Sequence, residues 1–424
     1  MQTKRYRIDD LEILFDLGGR DDWGKFSFPV WYGLTVKINW DEYEFYFNLL
    51  GSLKRIGGKS SVWPNPSEWL KRTDGNDLIY YGTYAYQSSY DLIKNYYVPY
   101  TGRYDSALFD ERPLESSHVK KALLAFDKLV IKARELSHIS TNERVKEFLN
   151  RLAVRNRDFL SHEAQRLHSI IGGTLPVLPP DTIEVDYEVI PLMIMEGCSY
   201  NCGFCLFKKQ RELKIRSRKN IKEQLIALRH MYKDDLINYN SLVLGQNDAL
   251  VALETISEEI LEMCYEMLNM GESYHKKGPN LFFFGGIGSF LAAKDYFFEK
   301  LNSQMYNTYI NIGLESPDQE TLDLIKKPLT ASEVKTAFWK AQDINKCCER
   351  INITYNFLLG KDLPCKHIKA INSLVSQNGV KRNKGTVYLS PLIGASERRQ
   401  ILKDFAEIKR SSLLPVYLYL IQRL

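Results

Sequence analysis

The chain has 424 residues, 44% hydrophobic and 26% charged, with a formal net charge of +5 at pH 7. That length exceeds one small core and predicts two domains, and the composition excludes a disordered chain. No apolar run reaches the roughly 18 residues a membrane span needs, and the opening "MQTKRYRIDDLEILFDLGG" lacks the apolar stretch of a secretory signal. A cytoplasmic protein with no membrane partner is expected.

The first 110 residues hold Trp23, Trp31, Trp40, Trp63 and Trp69, five of the six tryptophans, together with half of the tyrosines. Segments such as "KFSFPVWYGLTVKINW" and "NDLIYYGTYAYQ" set β-formers between Gly, Pro, Asn and Asp breakers, which predicts a strand-bearing α+β region with an aromatic core. From Ser117 to Ile170 the period becomes helical, with Val119, Leu123, Phe126 and Val130 on one face and Val145, Phe148, Leu149 and Leu152 on another. Val119 to Ile170 carries eleven Lys or Arg against six Asp or Glu. A solvated helical pair and a basic face for nucleic acid both fit that excess, and charge alone leaves both open. The Gly/Pro stretch "GGTLPVLPPD", residues 172–181, ends the helical segment, so the boundary falls there: an N-terminal α+β domain over 1–180 and a second domain over 181–424.

Beyond Asp181 apolar strand candidates alternate with helical stretches. The strands are "YEVIPLMI", "SLVLG", "NLFFFGG", "YINIGLE", "INITYNFLLG" and "GTVYLSPLI"; the helices include "RKNIKEQLIALRHMYKD", "ISEEILEMCYEMLNM", "LTASEVKTAFWKAQDIN" and "SERRQILKDFAEIKR". Near-continuous apolar strands with helical crossovers imply a parallel sheet, and six units predict an open barrel rather than a closed one of eight. In "FFFGGIGSF" the glycines lack phosphate-loop spacing and read as a tight strand-to-helix turn.

Three of the seven cysteines, Cys198, Cys202 and Cys205, fall within eight positions straight after the first of these strands. Ligands of parallel α/β sheets sit at the carboxyl ends of strands, so the triplet lies where a site is expected. Seven cysteines in a long chain argue for reduced thiols rather than a disulfide framework. A closed zinc site needs four ligands, and neither Cys264, on a helical stretch, nor the adjacent Cys347 and Cys348, nor Cys365 has chelating spacing. Three thiolates on one loop fit a cubane iron–sulfur cluster whose fourth iron stays open. Such an open position belongs to a catalytic site.

C-x3-C-x2-C after the first strand, with Phe204 before the third Cys, resembles the radical S-adenosylmethionine (radical SAM) superfamily. The resemblance covers about residues 183 to 424. "INIGLESPDQETLDLIKKPLTASEV" is similar to the fourth-strand region of many members, with Lys327, Pro328, Leu329 and Thr330 in its turn, and "RSRKNIKEQL" is similar to the start of their first crossover helix. The resemblance implies an α/β fold, an open partial (β/α)6 barrel, holding one 4Fe-4S cluster through Cys198, Cys202 and Cys205. It also implies S-adenosylmethionine as cofactor, cleaved reductively to a 5′-deoxyadenosyl radical that abstracts hydrogen from substrate. Phe204 would meet the adenine; Gly245, Gln246 and Asn247 occupy the loop that binds the methionine amine; Glu315 and Ser316 would contact ribose or methionine, with Asn356 a weaker candidate. The family's Gly–Gly–Glu–Pro loop reads "GQNDAL" here, which moves the carboxylate to Asp248.

The N-terminal region has no cysteines, no cysteine-rich extension follows the sixth strand, and no Asp-x-His-x-x-Gly cobalamin signature is present. A single-cluster enzyme remains, with a small or medium-sized substrate and an electron donor such as a flavodoxin or ferredoxin. An RNA or protein modification enzyme, with nucleic acid on the 119–170 segment, is the alternative, and a non-catalytic iron–sulfur redox sensor is the alternative of another class. The aromatic N-terminal 180 residues are expected to pack across the barrel mouth.

Overall fold

The computed structural model describes residues 2–18, 33–59, 69–76, 78–81, 96–97, 100–101, 116–173, 188–198, 200, 202–205, 213–253, 258–275, 278–380, 383–392 and 398–419. Trp23, Trp31, Trp63 and most of the connector after Gly173 lie outside them, and Gln246 is described by its backbone only.

The N-terminal region is an antiparallel sheet. Strands β1 (Lys4–Ile8), β2 (Leu11–Gly18), β3 (Leu34–Trp40), β4 (Tyr43–Phe47), β5 (Leu53–Gly58), β6 (Trp69–Arg72) and β7 (Leu78–Tyr81) pair in sequence order. The short β9 (Tyr100–Thr101) closes that order; β8 (Tyr96–Tyr97) leaves for the other sheet. Alternation decides the faces: Leu11, Ile13 and Phe15 of β2 are buried while Glu12, Leu14 and Asp16 between them are not. Three helices cover the apolar face, one more than the expected pair: α1 (Ser117–Ile139), α2 (Glu143–Ala153) and α3 (Arg157–Ile171), with Ser116, Asn142 and Asn156 as N-caps. Phe126 and Phe148 pack on Phe45, Phe47 and Phe15.

The second region carries a parallel sheet in the order β10 (Ile190–Leu192), β13 (Ser241–Asp248), β14 (Asn280–Gly285), β15 (Asn307–Glu315), β16 (Ile351–Leu359), β17 (Val387–Pro391), β18 (Val416–Tyr419), β8. The six expected strands are present in order. Two were not foreseen: β18, which follows the helix at Arg398–Ser411, and β8, contributed by the N-terminal region. The one-residue-in-two alternation along each strand separates the faces. Leu242, Leu244, Leu281, Phe283, Ile310, Ile312, Ile353 and Tyr355 join the helices in the large core, while Val243, Phe282, Phe284 and Tyr309 point the other way into a small apolar cluster. Among the described helices none is long and apolar enough to cross a membrane.

α3 serves both cores. Leu160 belongs to the N-terminal one, whereas Leu167 and Ile171 belong to that of the parallel sheet. Beneath the parallel strands a buried polar junction joins the regions. Lys54 of β5 pairs with Asp74 (2.7 Å) and with Glu188, which precedes β10; Tyr239 donates to Asp74. Asn238 accepts from the Leu34 amide (2.6 Å) and donates to its carbonyl, and Asp235 accepts from the Leu49 amide (3.2 Å). Burial opposes the Lys54 charge, but Asp74 and Glu188 outweigh it and hold the amine above its usual range. All these contacts lie at the amino ends of the parallel strands. Much of the aromatic region expected to pack across the barrel mouth, residues 19–32, 60–68, 82–95 and 102–115, lies outside the described residues.

Candidate functional site

The cysteine loop is an excursion from the carboxyl end of β10, closed at its base. β11 (Met195–Glu196) pairs antiparallel with β12 (Lys214–Ile215), and Arg216 bonds Glu196 at 2.7 Å across that base. Ser217, the next residue, is the N-cap of α4 (Arg218–Tyr232), its hydroxyl accepting from the Asn220 amide. The Arg–Ser pair of "RSRKN" therefore has a local job: Arg216 clamps the loop and Ser217 starts the crossover helix.

Within the loop Gly197 takes φ +82°, a conformation that favours glycine, and the Tyr200 amide points at the Cys198 sulfur (3.4 Å). Gly203 donates to the Ile325 carbonyl at 2.7 Å, and a Cβ there would lie 2.7 Å from that oxygen. Only glycine lets the loop dock against the segment after β15. Cys202 is buried; Cys198 and Cys205 are half-buried, and Phe204 packs against the core. No disulfide joins any of the seven cysteines. Burial pushes the Cys202 thiol up to about 11, with the Lys327 ammonium acting in the opposite direction. Cys264 is buried on its helix, and burial pushes its thiol up to about 12.

Opposite the loop stands the carboxyl end of β15. Glu315 is buried at φ +61°, outside the ordinary β region, and its Oε1 lies 3.2 Å from Lys327 Nζ. Gly313 makes this possible, since a Cβ there would sit 2.6 Å from Glu315 Oε1 and 3.5 Å from Lys327 Nζ. Lys327 also donates to the Gly313 carbonyl and lies 5.5 Å over the Tyr200 ring. Burial disfavours its charge, but Glu315 and the Cys202 sulfur outweigh that and raise its pKa. Asn356, on the neighbouring β16, reaches Glu315 Oε2 at 3.4 Å and accepts from Ser390 on β17 at 2.8 Å. Sequence reading missed Lys327 as a site residue. Its signal was a lysine inside the turn "KKPLT", close behind a Glu in an apolar strand.

The "GQND" segment is strand rather than loop: β13 runs to Asp248, with a register shift between Leu244 and Asp248 and Gly245 at φ +69°. Asn247 Nδ2 donates to the Gly197 carbonyl at 3.1 Å, tying this strand end to the cysteine loop. Asp248 accepts from the Ser289 hydroxyl at 2.7 Å and from the Gly286 and Leu250 amides; burial raises its pKa against those bonds. It holds the turn of "FFFGGIGSF", which is the expected strand-to-helix turn, β14 passing into α7 (Ile287–Ala292). Ser316 is buried with its oxygen 2.8 Å from His367 Nδ1, and it receives the Asp318 amide. Its hydroxyl is occupied on the helix side of β15.

These groups gather at the carboxyl ends of β10, β13, β15 and β16. Among the described residues no three His, Cys, Asp or Glu side chains are drawn together as a metal-holding group, so the three thiols share a loop without forming a preassembled ligand set. The donor chemistry fits an iron–sulfur cluster: three reduced thiols on one glycine-hinged loop, with a buried ammonium beside them to offset thiolate charge.

No protein-family model matches the sequence, and no curated protein matches it. Solved structures do match. A radical SAM methyltransferase from Sphaerobacter thermophilus is 13% identical with a TM-score of 0.36, over 53% of this chain and 64% of that one. The cobalamin-dependent S-adenosylmethionine radical enzyme OxsB is 15% identical at TM-score 0.34, over 52% of this chain and 30% of that one. Archaeal Methanocaldococcus infernus Elp3 is 14% identical at 0.31, over 47% and 52%. The chain is similar to radical SAM proteins of known structure. It spans less than two thirds of each of these three, and at such scores its activity rests on its own residues.

Proposed function

We propose that this chain is a radical SAM enzyme, acting in the cytoplasm as a two-domain protein divided near residue 180. One observation carries the reading: the C-x3-C-x2-C loop leaves the carboxyl end of the first parallel strand and docks through Gly203 against the segment after β15, beside the buried Glu315–Lys327 pair. Cys198, Cys202 and Cys205 would hold three irons of one 4Fe-4S cluster. When bound, the cluster supplies the electron that splits S-adenosylmethionine to a 5′-deoxyadenosyl radical, which takes a hydrogen atom from substrate.

The chain's own residues bind and orient. The Lys327 ammonium is placed for the carboxylate of S-adenosylmethionine, a charge-assisted contact in a water-poor site. Glu315, fixed by Lys327 and Asn356, offers its carboxylate to hydroxyl or ammonium donors of the same molecule. Gly245 and Gln246 offer backbone carbonyls near the end of β13, and the Phe204 backbone would meet the adenine. Asn247 and Ser316 act through what they hold: Asn247 fixes the Gly197 carbonyl, and Ser316 ties the strand end to His367. A small or medium-sized substrate and a flavodoxin- or ferredoxin-type electron donor complete the reading.

Anaerobic reconstitution with iron and sulfide, then reduction with S-adenosylmethionine present, tests it. 5′-Deoxyadenosine should appear on chromatography and vanish in Cys202→Ala. A chain that binds the cluster and yields no 5′-deoxyadenosine is instead a redox sensor, and salt-sensitive tight RNA binding would move the substrate to nucleic acid.

A further inference from the structure

Cys347 and Cys348 lie outside the site. They end α10 (Ala331–Cys347), the helix before β16, and their sulfurs are 3.4 Å apart. Cys347 is exposed and Cys348 buried. The Cys348 amide closes the helix on the Ile344 carbonyl, and Lys384 Nζ donates to the carbonyls of Cys348, Glu349 and Ile351. An accessible sulfur thus sits in contact with a shielded one.

We propose that Cys347 and Cys348 are a reversible thiol–disulfide modification site, in which Cys347 meets a disulfide oxidant of the glutathione class and Cys348 resolves the adduct. In the first step the Cys347 thiolate attacks one sulfur of oxidised glutathione; a mixed disulfide forms and one glutathione thiolate leaves. In the second, Cys348 gives up its proton and attacks the Cys347 sulfur, and the second glutathione leaves. Two thiols are oxidised, one external disulfide is reduced, and two reduced glutathiones are released. Accessibility fixes the order, because only Cys347 is open to an incoming molecule. The short sulfur–sulfur approach makes resolution intramolecular.

The product is also bound to be labile. Adjacent Cα atoms are about 3.8 Å apart, below the about 4.4–6.8 Å most disulfides span, and strained disulfides are readily reduced. This is the behaviour of a switch rather than a staple, and it is independent of what the cluster loop does.

The full chain, incubated anaerobically with oxidised glutathione, alkylated and digested with trypsin, gives a direct readout, because Lys346 and Arg350 bracket the tetrapeptide Cys347–Arg350. The expected tetrapeptide lacks two hydrogens and resists alkylation until dithiothreitol is added. Cys348→Ser should instead keep one glutathione on Cys347, and Cys347→Ser should leave Cys348 reduced. A wild-type chain that keeps glutathione on Cys347, or one whose two thiols both alkylate after exposure, overturns the proposal without reference to either variant.

Discussion

Glu315 shows how much of a site is decided by a residue's neighbours rather than its identity. Its left-handed backbone costs about 1–3 kcal/mol and persists only because the surroundings over-determine it: Gly313 leaves room for the carboxylate, and Lys327 and Asn356 hold it. Removing one partner of a buried pair strands the other charge at a cost of about 3–5 kcal/mol, whereas removing both is far milder. Lys327→Met is therefore expected to lose about 3 kcal/mol of unfolding free energy, and Lys327→Met with Glu315→Gln to recover much of it. A double-mutant cycle by urea denaturation measures the coupling, and additive losses would show that the pair is not coupled. In S-adenosylmethionine binding the double variant should stay as poor as the single one, because both charges that face the ligand are gone. Glu315 was reached through the resemblance of the fourth-strand motif, in which Lys327 was quoted without a role; a Lys twelve residues on looks like any surface lysine until the chain folds back.

Elements translate the rest of the motif into local physics. Thr330 forms a capping box with Glu333 at the start of α10, so the Leu–Thr turn marks a helix start as much as a site. The parallel strands were legible because six apolar runs alternate with helical periods. β18 was not, since "VYLY" is only four residues long, and β8 lies in an aromatic stretch whose partner is over 300 residues away. The "GQND" segment misled for a related reason: Gly245 looks like a loop opener, yet a bulge absorbs it and the strand continues. The cysteine loop depends on one such detail, the docking of Gly203 on the Ile325 carbonyl. Gly203→Ala should push the loop off that backbone and cut iron incorporation several-fold on reconstitution, with global stability lowered by no more than about 1–2 kcal/mol. Full iron loading in the variant would show that the loop docks by other contacts.

At the scale of the whole molecule, the regions read as separate domains from sequence share more than a connector. Buried Asp235 has its carboxyl pushed up to about 6, burial outweighing Lys54 and the Leu49 amide. An unfolded Asp titrates near about 3.9, so the folded state holds the proton more tightly. The group's contribution is intact at low pH, declines as pH rises from about 4 to 6, and costs about 3 kcal/mol above that. Asp235→Asn keeps an acceptor for the Leu49 amide, and urea midpoints across that range should lose this part of their pH dependence; an unchanged profile would mean the proton sits elsewhere. The last expectation concerns cooperativity. Opening the N-terminal sheet would strip Leu160 from its core and leave Glu188, Asp235 and Asn238 without Lys54, Leu49 and Leu34, while α3 still holds Leu167 and Ile171 in the other core. Each orphaned buried group costs on the order of 1–3 kcal/mol, so a half-open molecule is poorly populated. Native-state hydrogen exchange at Phe45 in β4 and Ile353 in β16 should converge on one opening free energy, and Lys54→Met should lower both together by about 3–5 kcal/mol. If Phe45 exchanges through a separate, easier opening, or if the variant lowers protection at Phe45 alone, the two regions unfold independently and the buried junction is only a contact.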